Sequence, residues 1–434
     1  MDYQRWLVVP TLAILVLVGF GCGHDWVAAE DGGDGDVVVP YEGDDPGECS
    51  DGVDNDGDGS TDCRDPGCFG APVCPGADAD ADGDADVPAP DAGEDFAPPD
   101  ATEDGATDVP GDVPTTGEWL YTSGHHIYLP GGSVFHGRGA NLHDTRSCNA
   151  CTAMAPDPDE VMRRADELID GWGANFVRLD LESYESDDGY RVHYQGVLDD
   201  ADYLQDVKEI VAHIAAKPGA YVLLSLWEDP TFSALGWPTA ETNVIWERLA
   251  AEFLDEDRVL FGLCNEPQSN FDGARDAEVW QAMNSAVAAI RAVEDAVGGS
   301  HHIVAVQGTG GWSRRLEYYA THPITAGGGE NVAYEVHVYD PEADFADMWI
   351  APAETLPVII GEFGPAAGYM TLDDCAALQV AARTAEVPHL AWTFHMRCPP
   401  NLLVDNSGGG CGVDMALETT EWGTQLQTNF ATAW

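Results

Sequence analysis

The sequence predicts an α/β fold, a (β/α)8 TIM barrel that follows a signal peptide and a long acidic linker, in a chain of 434 residues. From about Trp119 onward, short apolar runs alternate with amphipathic stretches of helical length, which is typical of βα units around a parallel sheet. Eight such runs occupy roughly 310 residues, which suits this barrel. An open doubly wound sheet is less favoured, because no glycine-rich phosphate turn follows the first run.

The predicted barrel strands are apolar runs bounded by turn residues, and the predicted helices carry an apolar face at helical spacing. In chain order the strands are residues 137–142, 175–181, 220–227, 259–266, 302–308, 331–339, 357–364 and 389–395. The helical patterns are residues 159–173, 203–216, 243–254, 277–298, 371–386 and 419–433. The barrel and its helices therefore fall within a domain spanning residues 117–434.

Residues 1–22 have the pattern of an export signal. Arg5 precedes an apolar region, residues 6–20, and small residues precede Cys22. The ending VGFGC resembles a bacterial lipoprotein cleavage site and predicts that Cys22 carries a lipid, with an ordinary secretory peptide as the alternative. Either type predicts a bacterial protein that is exported, attached to the cell surface or outer membrane or secreted, in which cysteines can be oxidised.

Residues 23–116 have the composition of an extended, largely disordered linker. Between Gly23 and Gly117 there are 28 acidic residues and one basic residue, Arg64, in a chain of net charge −59. So little apolar surface and so much like charge cannot support a packed core. The acidic surface also excludes nucleic acid as a partner and disfavours anionic lipid, but it leaves neutral ligands possible.

A Cys- and Asp-rich module, residues 48–74, interrupts this linker. Oxygen-bearing side chains recur there at the spacing of a calcium-binding loop, with Gly59 at the bend. No flanking helices are predicted, and Cys49, Cys63, Cys68 and Cys74 suggest two local disulfides. We expect a structural calcium site, with plain acidic linker as the alternative. The predicted ligands are Asp54, Asp56, Asp58, Ser60, Asp62 and Asp65.

Two glutamates lie where barrel strands end. Asn265 and Glu266 complete the fourth predicted strand in the sequence NEP, and Glu362 lies in GEFG at the seventh. The carboxyl ends of parallel strands meet at one mouth of the barrel, so these carboxylates are expected to converge over one cavity. A single glutamate at a strand end is more often a salt-bridge residue, but a converging pair is typical of glycoside hydrolysis.

Residues 119–434 resemble glycoside hydrolase family 5, the retaining endo-glycanase barrels of clan A that include cellulases and β-mannanases. The resemblance implies that Glu266 is the general acid/base, that Glu362 is the nucleophile and that Asn265 holds the sugar 2-hydroxyl. It implies no cofactor for catalysis. In a retaining enzyme the two carboxyl groups are about 5 to 5.5 Å apart.

Four further positions match supporting residues of the family. Arg178 in NFVRLD would support the nucleophile, His337 and Tyr339 in HVYD would lie beside it, and Trp392 in HLAWTF would stack on a sugar ring. A cation near the nucleophile is expected to keep it ionised. Arg178 could equally form a barrel salt bridge with Asp180, and His337 could be a buried core histidine.

One departure from the family concerns the third strand, which usually ends in a histidine that touches the sugar. This sequence has LLSLWED there, with Trp227 or Glu228 at the expected position, so the identity of the sugar is left open. Trp227, Trp237 and Trp312 are candidate stacking platforms, because flat apolar sugar faces pack on aromatic rings. For Trp237 a place in the core outside the barrel is equally expected.

The remaining cysteines and histidines suggest structural roles. Cys398 and Cys411 bracket one loop and are the predicted disulfide of this domain, whereas Cys264 is expected to be buried in the fourth strand. The adjacent histidines at 125–126 and 301–302 point to opposite faces and have no third ligand at a zinc-like spacing, so we expect no catalytic metal.

These observations favour an exported endo-β-1,4-glucanase, cellulase-like, that acts on a β-linked polysaccharide or oligosaccharide as a monomer. A β-mannanase or another family 5 β-glycanase is the nearest alternative. Two alternatives come from other classes. One is a catalytically weak carbohydrate-binding surface lipoprotein, and the other is a calcium-dependent adhesin in which the Cys- and Asp-rich module is the active part.

Overall fold

The computed structural model describes residues 119–145, 157–182, 196–228, 235–406 and 414–432. The expectations for residues 1–116, including the lipid on Cys22 and the calcium ligands, lie outside these ranges. Cys411 also lies outside them, so its pairing with Cys398 stays a prediction.

Eight parallel strands within the described ranges close into a barrel, in which the last strand pairs with the first. This confirms the predicted strands and their order. An antiparallel hairpin, β1 and β2, precedes them. The ten strands are β1 Tyr121–Ser123, β2 His126–Tyr128, β3 Arg138–His143, β4 Phe176–Glu182, β5 Tyr221–Glu228, β6 Val259–Gly262, β7 Val304–Gln307, β8 Val332–Val338, β9 Val358–Phe363 and β10 His389–Ala391.

Two strands end four residues earlier than predicted. β6 leaves the sheet after Gly262, and β10 after Ala391, whereas the apolar patterns continue to residues 266 and 395. Beyond Gly262 the chain stays buried but turns away from regular strand geometry, and Glu266 has a positive φ of 53°. Residues on both faces of these strands are buried, so the apolar run continues beyond the last hydrogen bond of the sheet. The sequence pattern therefore does not show where the strand ends.

The described ranges contain eight α-helices around the barrel. They include the six predicted ones, and a π-helical turn, Glu167–Gly171, continues the first. The short α2 and α6 have no clear sequence pattern. The helices are α1 Pro158–Asp166, α2 Gly196–Asp199, α3 Ala201–Ala215, α4 Ala240–Glu252, α5 Asp276–Val297, α6 Glu317–Thr321, α7 Leu372–Thr384 and α8 Glu421–Phe430.

Side-chain caps fix where several helices begin. Thr239 and Thr371 form capping boxes with the residue three positions later, at the starts of α4 and α7. Asp157 accepts a hydrogen bond from the backbone of Glu160 at 3.0 Å, at the start of α1. Each cap satisfies amide groups that a helix start leaves unpaired.

The core has two layers, because alternate strand residues face opposite sides of the sheet. In β5, Tyr221 and Leu223 point into the barrel, whereas Val222 and Leu224 pack against the surrounding helices. Phe135 closes the amino-terminal end of the barrel, with its ring centroid 5.4 Å from that of Phe176 and 5.1 Å from that of Tyr221. An apolar plug at this end leaves the opposite end for polar groups.

No helix in the described part of the chain is long and apolar enough to cross a membrane.

Candidate active site

Buried polar side chains form a layer inside the barrel at the carboxyl ends of its strands. Asn141 of β3, Arg178 and Asp180 of β4, Gln307 of β7 and Glu335 of β8 are each fully buried. Polar groups are buried in a protein when they satisfy one another, so this layer is a connected network. It is the floor on which the predicted catalytic residues lie.

Arg178 is the centre of this network. Its Nη1 donates to Asn141 Oδ1 and to Glu362 Oε1, each at 2.8 Å, and its Nη2 donates to Asn265 Oδ1 at 2.9 Å. One guanidinium therefore orients both the seventh-strand glutamate and the asparagine before Glu266. The five donors of a rigid planar fork suit this geometry.

Arg178 also contacts two carboxyl groups within the barrel wall. Its Nη1 lies 3.0 Å from Asp180 Oδ1, and its Nε lies 3.1 Å from Glu335 Oε1. The contact with Asp180 and the contact with Glu362 are therefore both made by this one side chain. Burial raises the pKa of Asp180 well above its ordinary value despite the arginine, which favours its neutral form.

Glu362 lies at the end of β9 and is buried. Its Oε2 accepts a hydrogen bond from Tyr339 Oη at 2.8 Å, and its Oε1 lies 3.5 Å from His337 Nδ1. Burial raises the pKa of Glu362 and the charge of Glu266 adds to this, while His337, Arg178 and Tyr339 act in the opposite direction. The predicted cation is therefore present, but the net shift of this pKa is upward, because desolvation is the largest effect.

Glu266 follows β6 in a left-handed backbone conformation, with φ of 53°. Such a conformation is costly for a residue other than glycine and persists only where its surroundings fix it. The side chain of Gln307 accepts a hydrogen bond from the Glu266 backbone N–H at 3.4 Å, and His337 Nδ1 lies 2.7 Å from Glu266 Oε1. These contacts hold the carboxylate over the same cavity as Glu362.

His337 lies between the two glutamates. Its Nδ1 faces Glu266, and its Nε2 lies 3.2 Å from Glu335 Oε1. Burial alone would lower the pKa of His337, but Glu362, Glu266 and Glu335 outweigh it and raise that pKa to about 10. At neutral pH the ring is therefore an imidazolium that donates from both nitrogens.

One oxygen of Glu266, one oxygen of Glu362 and one nitrogen of His337 all lie within 4.8 Å of one another. Such a group could surround a cation in principle. In this arrangement His337 Nδ1 lies 2.7 Å from Glu266 Oε1 and 3.5 Å from Glu362 Oε1, so the histidine bridges the two carboxyl groups.

Two tryptophans form one wall of the cavity. The rings of Trp227 and Trp392 lie 5.7 Å apart with planes inclined by 32°, and Tyr339 packs against them. His143 meets both indoles edge-on, at 5.3 Å and 5.2 Å. Trp227 thus shares the wall that Trp392 was predicted to form. Glu228 ends β5, and its side chain is outside the described part.

Trp312 lies on another side of the mouth, just after β7. Its backbone N–H donates to the carbonyl of Pro267 at 2.8 Å, which ties it to the segment that carries Glu266. Its ring centroid lies 6.2 Å from that of Phe271, which is 67% exposed. Trp237 is instead buried in the outer core, where the guanidinium of Arg275 lies 4.9 Å from its ring centroid.

Sequence reasoning missed several members of the network, namely Asn141, His143, Gln307 and Glu335. The signal for Glu335 was available, because it lies two residues before His337 and so on the same face of β8. Asn141 and Gln307 lie near the ends of buried strands, where their contacts depend on the register of neighbouring strands. A single asparagine or glutamine near a strand end forms no recognisable sequence motif.

A family model for cellulases, glycosyl hydrolase family 5, matches residues 136–396. That range contains all eight barrel strands together with Arg178, Glu266, His337 and Glu362. The chain belongs to glycosyl hydrolase family 5. Its polar layer lies at the carboxyl ends of the strands of a family 5 barrel.

Individual relatives of this family 5 chain are distant. An endoglucanase of Clostridium saccharobutylicum is 24% identical over 172 residues, 40% of this chain and 34% of that protein. This chain thus matches about a third of that relative's length. A β-glucanase of Saccharophagus degradans, solved with cellotetraose, has a TM-score of 0.54 at 19% identity and covers 75% of this chain and 98% of its own. A β-mannanase of Streptomyces thermolilacinus has a TM-score of 0.51 at 20% identity, covering 73% and 98%.

The charge on His337 predicts a pH-dependent stability of the family 5 barrel. A pKa raised from 6.5 to about 10 stabilises the folded state fully below pH 6.5, and this contribution is lost as pH rises toward 10. The wild-type melting temperature should therefore fall between pH 6.5 and pH 10 by at least about 2 °C more than that of His337→Gln. Calorimetry at half-unit intervals measures this, with exposed His322→Gln as the control. Parallel curves for wild type and His337→Gln would contradict the assignment.

Proposed function

We propose that this family 5 chain is an exported retaining glycoside hydrolase that cleaves β-1,4 bonds within a glucan, as a cellulase does, by double displacement. The observation that carries the proposal is the separation of its two glutamates, whose nearest oxygens lie within 4.8 Å of each other. Retaining enzymes have carboxyl groups about 5 to 5.5 Å apart, whereas inverting enzymes need about 6.5 to 9.5 Å to admit a water.

In the first step Glu362 attacks the anomeric carbon while Glu266 donates its proton to the leaving glycosidic oxygen. A covalent glycosyl ester on Glu362 results, and the other part of the sugar chain leaves as an alcohol. In the second step Glu266, now a carboxylate, takes a proton from water as that water attacks the same carbon. Glu362 is released, and the configuration of the anomeric carbon is retained.

The contacts around each glutamate support these roles. Arg178 and Tyr339 both donate to Glu362, which stabilises the carboxylate that must attack and offsets part of the effect of its burial. Asn265, held by Arg178, precedes Glu266 and is placed to bind the sugar 2-hydroxyl. Hydrogen bonds that strengthen as charge develops on the sugar lower the barrier.

The substrate is proposed to be a β-1,4-glucan, because the relatives include an endoglucanase and a β-glucanase solved with cellotetraose. The wall of Trp227 and Trp392 offers apolar faces on which successive glucose rings can stack. A β-mannan is the alternative, supported by the β-mannanase among the similar structures. Trp227, where the family usually has a histidine, is the position expected to distinguish these sugars.

A catalytically weak carbohydrate-binding lipoprotein is the second candidate. It is favoured only by the replacement of the third-strand histidine. The complete network around Glu266 and Glu362 argues against it, because buried charges are costly to keep without a use for them.

The sequence supports three further proposals about the whole chain. The protein is exported, with Cys22 as a lipid attachment point at the cell surface. The Cys- and Asp-rich module binds a structural calcium ion through the carboxylates that begin at Asp54. The barrel acts as a monomer on its polysaccharide.

Substituting either glutamate should abolish hydrolysis by the full-length protein. Glu362→Gln should lower kcat at least about 10⁴-fold, because no nucleophile remains. Glu266→Gln should lower it about 10² to 10⁴-fold, because no proton reaches the leaving oxygen. Reducing-sugar release from carboxymethyl-cellulose, mixed-linkage glucan, mannan and xylan measures both, with the exposed Glu278→Gln as control.

Proton NMR of the first product should show the β-anomer, as retention requires. A folded wild type that cleaves none of the four glycans, or an unimpaired Glu362→Gln, would refute the proposed function. An α-anomer as first product would refute double displacement alone.

Trp227→Ala should raise KM for cello-oligosaccharides about tenfold, the loss expected from one stacking contact of roughly 1.4 kcal/mol. Trp227→Phe keeps a ring at this position and should retain most of the affinity. Trp237→Phe, in the outer core, is the matched control and should leave KM unchanged. An unchanged KM in Trp227→Ala would exclude Trp227 from substrate binding.

Removing calcium distinguishes the proposed enzyme from the alternative, a calcium-dependent adhesin. Because the proposed calcium site lies in the linker module, chelation with EDTA should leave the hydrolysis rate unchanged while calorimetry detects calcium rebinding to the full-length protein. Attachment to cellulose that needs calcium and occurs without hydrolysis would favour the adhesin instead.

A further inference from the structure

Glu335 is a buried carboxylate beneath the active site that the proposed mechanism does not use. It lies in β8, two residues before His337, so both side chains project from the same face of that strand into the barrel. Its side chain is fully buried. An ionised carboxylate at such a position is costly unless specific partners compensate it.

Its partners are two cations. Glu335 Oε1 accepts from His337 Nε2 at 3.2 Å and lies 3.1 Å from Arg178 Nε. Burial acts to raise the pKa of Glu335, but Arg178 and His337 outweigh it, and the net shift is downward. The group is therefore a carboxylate at neutral pH and touches both cations that in turn contact Glu362.

On the neighbouring strand β9, a glycine lies against this carboxylate. A Cβ atom on Gly361 would lie 1.9 Å from Glu335 Oε1, far inside any real contact distance. Gly361 directly precedes Glu362 in β9. The backbone that carries the proposed nucleophile is therefore shaped to admit the Glu335 side chain.

We propose that Glu335 is a positioning residue, which binds Nε2 of His337 so that the opposite nitrogen of the ring donates to Glu266. This inference rests on the proposed function, since it assigns Glu335 a role in the same reaction. Through His337, Glu335 thus acts on the hydrogen bond that Glu266, the proposed acid/base, accepts from the ring.

The geometry of the ring explains how this works. Nε2 and Nδ1 are on opposite sides of an imidazole, and here they face Glu335 at 3.2 Å and Glu266 at 2.7 Å. An acceptor on both sides favours the doubly protonated ring. Without the carboxylate at Nε2, the ring loses its proton more readily, and the N–H that it directs at Glu266 becomes a weaker donor.

Other groups also influence His337, and the experiment must separate their effects from that of Glu335. Glu266 faces the ring from the segment after β6, and Glu362 faces it from β9. Arg178 and Asp180 face it from β4, and Gln307 of β7 provides an uncharged contact at 3.4 Å from Nε2. None of these residues is itself substituted in Glu335→Gln, although Arg178 loses the charge of one carboxylate partner.

The first test is the pH profile of kcat/KM for Glu335→Gln, which has nearly the same shape as Glu335 but no charge. The alkaline limb should move, because His337, which donates to Glu266, loses its proton over a different pH range once the charge at Nε2 is removed. An unmoved limb in a folded Glu335→Gln variant would overturn the proposal, whatever happens to the overall rate.

The chain offers a matched control in Glu294. It too is a fully buried carboxylate held by an arginine and a histidine, with Oε2 2.6 Å from Arg291 Nη1 and Oε1 2.7 Å from His302 Nδ1. It lies in α5, away from the active-site network. Glu294→Gln should lower the melting temperature without moving either limb of the profile, which separates lost stability from lost positioning.

A second readout needs no activity. In protein labelled with ¹⁵N at histidine, the His337 signals are those that disappear in His337→Gln. The pH at which the ring loses one of its two protons should be the same in wild type and in Glu294→Gln, and it should be lower in Glu335→Gln. An unchanged value in Glu335→Gln would overturn the proposal. If the wild type hydrolyses no glycan, the proposed function fails while this measurement still tests Glu335.

Glu335→Asp covers the case in which Glu335→Gln does not fold. The shorter side chain keeps the charge, so the ring should remain an imidazolium at pH 8 and the alkaline limb should stay in place while kcat falls. A neutral ring in a folded Glu335→Asp variant would count against the proposal that the carboxylate at position 335 keeps the His337 ring protonated.

Discussion

The guanidinium of Arg178 is a fixed charge in the barrel wall on which the whole site depends. It is fully buried and contacts Asn141, Glu362 and Asn265 by hydrogen bonds. Removing one partner of a buried charged pair costs about 3 to 5 kcal/mol, because the other charge is left uncompensated. Arg178 therefore orients the site and also allows several carboxylates to lie close together in a medium that would otherwise exclude them.

Charge balance explains why the layer has its particular composition. Two cations, Arg178 and His337, face the carboxyl groups of Asp180, Glu266, Glu335 and Glu362. Burial favours the neutral form of Asp180, and Glu335 remains ionised because it touches both cations. Glu266 and Glu362 both face the imidazolium, but they differ in their other surroundings, since Arg178 and Tyr339 donate hydrogen bonds to Glu362. Different environments allow two like groups to take different roles.

The barrel, its strand order and the paired glutamates were predictable because they follow from periodicity and from residues at strand ends. Arg178, His337 and Tyr339 followed from resemblance, and in the structure all three contact Glu362. Asn141 and Gln307 were not predictable, because their partners depend on strand register that no local pattern encodes. The upward shift of the Glu362 pKa was also missed, since sequence identifies a neighbouring cation but does not show how completely the carboxylate is desolvated.

The close approach of Gly361 to Glu335 restricts how the sequence can change. A side chain at position 361 would occupy the space of the Glu335 carboxylate, so Gly361 can be replaced only after Glu335 has become smaller. Glu335 can be replaced first, because a smaller residue at position 335 is compatible with Gly361. Homologous chains that carry alanine or serine at the position of Gly361 should therefore lack a glutamate at the position of Glu335, and the two positions should vary together.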